Sequence, residues 1–193
     1  MATQELLLKY GTQLMFADHA VDFAEQEPAT PANTYIVGSP TSVQMNFSVI
    51  AAAAAWESAK TATLAKTGTA WPGEWMLGAV MESTATPAAG GSFDFYWNAS
   101  PSAVAGTGNS GEASGLDSAI AITHLSALIF IGSMMVRNNV INKCSTIGRL
   151  WLPYLYGSLI MVNNTSVAMV ADADADECFA VLTPIIPDLQ AAA

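Results

Sequence analysis

Along much of this chain apolar and polar residues alternate with a period of two, the pattern of a half-buried β-strand rather than of a helix. From Ser92 to Asn98, Phe93, Phe95 and Trp97 fall on one face and Asp94, Tyr96 and Asn98 on the other. From Thr41 to Val49, Val43, Met45, Phe47 and Val49 alternate with Ser42, Gln44, Asn46 and Ser48. Glu74–Glu82 is apolar on both sides: Trp75, Leu77, Ala79 and Met81 face one way, Met76 and Val80 the other. Such a strand is covered on both faces. Phe93, Phe95 and Trp97 are expected to pack inward against Leu128, Phe130 and Met134.

Pro and Gly mark the joins, at Trp71-Pro72-Gly73 and Pro87-Ala88-Ala89-Gly90-Gly91. Asn98–Asp117 reads as a long loop rich in Gly, Ser, Ala and Pro, and loops of that length tend to be functional or to touch a partner. Further short apolar segments are Leu125–Val136, Tyr156–Val162 and Cys178–Ile186, with Asn163-Asn164-Thr165-Ser166 placed to join Leu159–Val162 to Val167–Val170 as a hairpin. The alanine run Ala51–Ala55 raises helix propensity within Ser48–Lys66. The apolar positions there form no helical stripe, and Thr61, Thr63 and Thr67 favour extension. The expected fold is all-β: a single antiparallel β-sandwich over residues 41–193. Residues 1–40 supply an N-terminal arm or the first strands.

The composition narrows the function. Hydrophobic residues make up 52% and charged residues 11%, well below the usual charged share of roughly 25%, which leaves the surface to Ser, Thr, Asn, Gly and Ala or to cover by neighbours in an oligomer. Six basic and 16 acidic residues give a net charge of −10, and no Lys or Arg occurs between Lys66 and Arg137. Nucleic-acid binding needs a basic patch that these residues cannot build. Met1–Gly11 carries Glu5 and Lys9 and lacks the pattern of a secretory leader. The uncharged run Ser118–Val136 is diluted by Ser, Thr, His and Gly, so it reads as a buried strand and its approach, and no membrane partner is expected.

No residue set commits to chemistry, and no catalytic, cofactor-binding or metal residue is assigned. Asp172, Asp174 and Asp176, followed by Glu177, begin like a calcium loop. Glu177 then stands where the turn needs glycine, and Thr183 where the last carboxylate belongs. A solvated acidic loop is the simpler reading, a cation at a subunit interface the alternative. His19 and His124 are the only histidines and belong to no Ser-His-Asp or Cys-His pattern. Gly106-Thr107-Gly108 lacks the Lys and the helix of a phosphate loop. Cys144 and Cys178 have no metal-ligand spacing and are read as free thiols rather than a disulfide. Of Trp56, Trp71, Trp75, Trp97 and Trp151, Trp75 and Trp97 read as core, and Trp151 is the candidate exposed contact.

Phe93-Asp94-Phe95-Tyr96-Trp97-Asn98-Ala99-Ser100-Pro101-Ser102-Ala103, followed by Gly108-Asn109-Ser110-Gly111-Glu112-Ala113-Ser114-Gly115, resembles a group of small structural proteins of tailed bacteriophages. Trp56-Glu57-Ser58-Ala59-Lys60 and Val181-Leu182-Thr183-Pro184 carry the same resemblance, which extends from Ala51 to the C-terminus. It implies a jelly-roll-like sandwich on the exterior of a virion. The implied role is a capsid decoration (cement) protein that binds the major capsid protein and itself, as a homotrimer, and is not an enzyme. Met1–Glu27 is then expected to be an arm that orders on a neighbour and can be deleted without unfolding the sandwich. The other functions consistent with the sequence are a tail, head–tail or fibre-anchoring component and a carbohydrate-binding host-contact module.

Overall fold

The computed structural model of the protein describes residues 6–10, 12–18, 35–36, 40–61, 73–170 and 178–189. Among the described residues eleven strands make up nearly all of the regular structure: β1 (Leu6–Tyr10), β2 (Leu14–Ala17), β3 (Thr41–Gln44), β4 (Ala55–Glu57), β5 (Glu74–Glu82), β6 (Ser92–Ser100), β7 (Ser118–Ile120), β8 (Ile129–Met135), β9 (Ile141–Trp151), β10 (Tyr156–Asn163) and β11 (Phe179–Leu189). One sheet has the order β3-β2-β11-β5-β9, the other β7-β4-β10-β6-β8. All the pairings are antiparallel except β2 with β3. The chain is thus an all-β sandwich of two sheets.

Period-two alternation sends one face of each sheet into a shared core. Phe93, Phe95 and Trp97 of β6 are wholly buried with Leu77 and Met81 of β5, Leu159 and Met161 of β10, and Leu182 of β11. Phe16 of β2 meets Trp97 edge-on across the two sheets, with ring centroids 6.4 Å apart. The double-sided apolar pattern of β5 also holds: Val80 faces the other way, into a second cluster with Met15, Ala17, Phe179 and Val181.

The structure corrects several expectations. Phe130 points outward and lies against Tyr96 at 5.2 Å between centroids, while Met134 is buried as expected. The cause is a register shift between Phe95 and Tyr96: Phe95 faces Gly132 but Tyr96 faces Phe130, leaving Ile131 as the extra residue. A bulge of this kind reverses the parity of everything beyond it, so Phe130 turns out and Leu128 is only half-buried. Val49 is likewise exposed, because β3 ends at Gln44 and a turn puts Ile50 into the core instead. Val167–Val170 forms no hairpin strand; Met169 makes only an isolated bridge with Ser83. From Ser48 to Thr61 there is no helix, and Ala53 adopts a left-handed conformation (φ 55°) in the turn before β4.

The described part of the N-terminal region is not a free arm. β2 pairs with Ala180–Leu182 of β11 and all four of its residues are buried, and β1 pairs with Ile185–Leu189 farther along the same strand. Deleting Met1–Glu27 would therefore open the core rather than free an appendage.

At one side of the sandwich the sheets touch. Between Leu77–Gly148 and Ala79–Cys144 the β5–β9 register slips, bending β9 toward β8. A Cβ on Gly148 would come 2.0 Å from the Ile131 carbonyl oxygen, and one on Gly132 2.4 Å from that of Ile147. Only glycine permits that approach of two backbones. Gly148→Ala is expected to cost about 1–3 kcal/mol by overpacking, measured by urea unfolding. Unchanged stability would show that this corner yields without strain.

Candidate functional site

The feature built with most polar investment is the 101–117 loop, which three charged side chains fasten to the sheets. Glu57, at the end of β4, is 1% exposed. Its Oε1 accepts hydrogen bonds from Ser158 Oγ (2.6 Å), the Gly115 N–H (2.9 Å) and Asn98 Nδ2 (3.3 Å). Its Oε2 accepts from the Ser114 N–H (2.7 Å) and Ser114 Oγ (3.0 Å). Asn98 Oδ1 in turn accepts from the Ser110 N–H at 2.9 Å. Strand pairing places Asn98 opposite Ser158 on adjoining strands, so they face the same way beside Glu57.

Lys60 holds the other limb of the loop. Its ammonium donates to Ser100 Oγ (3.0 Å) and to the carbonyls of Val104 and Thr107 (both 2.9 Å). Burial lowers its pKa, and Glu57 pulls the other way. A left-handed Gly115 (φ 67°) lets the Lys60 stem pass, since a Cβ there would lie 2.8 Å from Lys60 Cε. Asp117 closes the loop by accepting from Trp56 Nε1 (2.6 Å), the Asn46 N–H (3.0 Å) and Gln44 Nε2 (3.0 Å). The loop is therefore pre-organised, and it presents Val104 and Leu116 to solvent. Ser158 is wholly buried, so its contact with Glu57 is an anchor, not an activated nucleophile.

The sequence candidates are scattered by the fold. Trp75 and Trp97 are core, as expected, and Trp56 is half-buried on Asp117. Trp151 is 71% exposed, as expected of a contact residue, although it ends β9 rather than lying in a connection. Its ring rests on Gly73, where a Cβ would come 2.1 Å from it. Cys144 and Cys178 form no disulfide, and the Cys178 sulfur accepts a hydrogen bond from the Glu82 N–H at 3.2 Å. His124 belongs to the 3-10 turn Ile122–Ala127. His19, Trp71, Asp172, Asp174, Asp176 and Glu177 lie outside the described residues. Among the described residues no three His, Cys, Asp or Glu side chains converge as metal ligands.

Two surface features remain, and of their residues the sequence singled out only Trp151 as an exposed contact. Exposed large apolar side chains gather where β8 and β9 end the two sheets: Ile129, Phe130 and Met135 on β8, Trp151 on β9, and Tyr154 and Leu155 just after it. At the turn joining these strands, a cleft of about 410 Å³ is lined by Met135, Arg137, Asn139, Ile141, Asn142 and Lys143.

Beside this edge, burial and then the Asp94 charge raise the pKa of Tyr96 above the ordinary 10.0. The phenol's contribution to stability is whole below the unfolded value and is lost as pH rises through the folded one. Ultraviolet titration of tyrosinate should show a late component, to which Tyr35 also contributes, that Tyr96→Phe diminishes. An unaltered titration curve in that variant would contradict the assignment.

Compared with protein-family models, curated proteins and solved structures, the chain matches none.

Proposed function

We propose that this protein is a structural component of a bacteriophage virion, a decoration protein that binds assembled major capsid subunits from outside and stabilises the shell by contact. The observation that carries this reading is strand order. Without the short β3 and β7 and the added β1, the sheets run β2-β11-β5-β9 and β4-β10-β6-β8. That interleaved order supports the reading of an eight-stranded jelly roll, an architecture shared by viral capsid and lectin domains. The segments that resemble phage structural proteins fall on β6 and the fastened 101–117 loop, on and just after β4, and on β11. Fold alone assigns no function, but a pre-ordered loop favours contact, since little ordering entropy remains to be lost on binding. Assembly as a homotrimer belongs to the same proposal.

A ligand that binds only the assembled shell shifts assembly toward it. Particles that lack the protein should therefore lose integrity on heating or osmotic shock before complete ones, and electron microscopy should place many copies over the shell. Equal resistance of the two particles would refute cementing. A few copies at one vertex would instead indicate a tail or head–tail component. Exposed Trp151 favours a second reading, a carbohydrate contact by a lectin-like jelly roll. Glycan-array binding abolished by Trp151→Ala would establish it.

A further inference from the structure

We infer that the β8–β9 edge is the face on which a second copy of this chain docks, with Arg137 and Lys143 receiving carboxylates of that copy. The inference rests on the proposal of a homo-oligomer and specifies its interface.

Two observations meet at this edge. Six large apolar side chains are exposed on or just after β8 and β9, among them Phe130 at 54%, Met135 at 60% and Trp151 at 71%, and exposed apolar surface marks interaction sites. The backbones of the two strands close on each other at Gly132 and Gly148, so docking there is by side chains rather than by strand pairing. The second observation is charge.

Of the chain's six basic residues, Lys60 is committed to the 101–117 loop and Arg149 to Glu74 at 3.1 Å. Arg137 and Lys143 line one cleft and make no ion pair among the described residues. The cleft is built rather than incidental. Asn142, 4% exposed, accepts from the Arg137 N–H at 2.8 Å and donates to the Asn139 carbonyl at 3.0 Å, which fixes the turn that carries the two charges. Two like charges lining one cleft repel, and an anionic group placed between them removes that cost.

The occupant follows from charge complementarity. The rest of the molecule is acidic, with 16 Asp and Glu and a net charge of −10, so a second copy brings carboxylates to the cleft. Met135 both lines the cleft and continues the apolar strip, so one docking event covers both. A basic cleft that meets carboxylates elsewhere on the second copy is a contact between unlike surfaces. Such contacts run head to tail and form a ring only where the rotation closes, as a trimer requires.

The test uses the full chain at micromolar concentration, with mass measured by sedimentation and light scattering. The wild type is expected to give a multiple of 20.1 kDa that falls apart as salt is raised. Arg137→Glu with Lys143→Glu, both at exposed positions, should weaken association by at least about tenfold because it sets like charges against each other. Arg137→Lys with Lys143→Arg should retain it. Met135→Ser should also weaken association, without altering its salt dependence. Far-UV circular dichroism identifies any variant that misfolds. A wild type monomeric at every concentration, or an oligomer indifferent to charge reversal and salt, overturns the inference. Failure of the capsid role is a separate result: oligomers that dissociate as expected, from a protein that particles do not need, would leave this interface standing.

Discussion

Replacing Phe95 with Ala should lower the unfolding free energy by about 3–5 kcal/mol, the cost of deleting a large aromatic side chain from a close-packed core. Phe95 is wholly buried in the middle of β6, between Phe93 and Trp97 on the same inward face. Its strand is paired on both sides, with β10 and with β8, so the surrounding backbone has little freedom to collapse into the cavity. Gly132 stands opposite Phe95 across the β6–β8 pair, and a glycine has no side chain with which to refill the space. Chemical denaturation with matched m-values checks the magnitude. A loss below about 1 kcal/mol would mean that the site relaxes, contrary to a rigid two-sheet core. Phe130→Ala, on the same strand pair but outside the bulge, should cost far less, and the contrast tests the reversed parity directly.

That contrast also shows where the sequence was informative. β5 and β6 were legible because their alternation is unbroken and their inward residues are large. β9 was not recognised at all. Ile141–Trp151 is an edge strand in which Lys143, Ser145, Thr146 and Arg149 face solvent, and the slip opposite Gly78 breaks its period. Only Asn142 and Leu150 of this strand are buried, so little apolar alternation is left to read. β4 and β7, of three residues each, are too short to carry a period, and β2 reads as part of a terminus until β11 is placed beside it. The parity of Phe130 depended on a bulge that no local pattern announces. The long loop could be read from its composition, but its fastening could not. Glu57 finds its partners at Asn98, Ser114, Gly115 and Ser158, which only the folded sheet brings together.

Glu57→Ala is the second substitution expected to act strongly, by about 3–5 kcal/mol, the range for removing one member of a buried charged network. The cost comes from the donors left behind rather than from the attraction of the carboxylate itself. The Ser114 and Gly115 N–H groups, the Asn98 amide and the Ser158 hydroxyl all donate to this one group. Without it each faces a buried void, at about 1–3 kcal/mol for every donor that finds no substitute. Glu57→Gln should recover only part of the loss. Its Nε2 must stand either where Ser158, Gly115 and Asn98 donate or where the Ser114 N–H donates, and in both places a donor meets a donor. Core β-structure should survive, because Glu57 ends the three-residue β4 and contributes nothing to the apolar cluster. The loop should not. Hydrogen exchange at Ser110, Ser114 and Gly115 is expected to quicken far more than at Phe93–Trp97, separating local release from global destabilisation. If the loop amides stayed as protected as in the wild type, Lys60 and Asp117 would suffice as fasteners. The loop's readiness to bind would then not depend on the buried carboxylate.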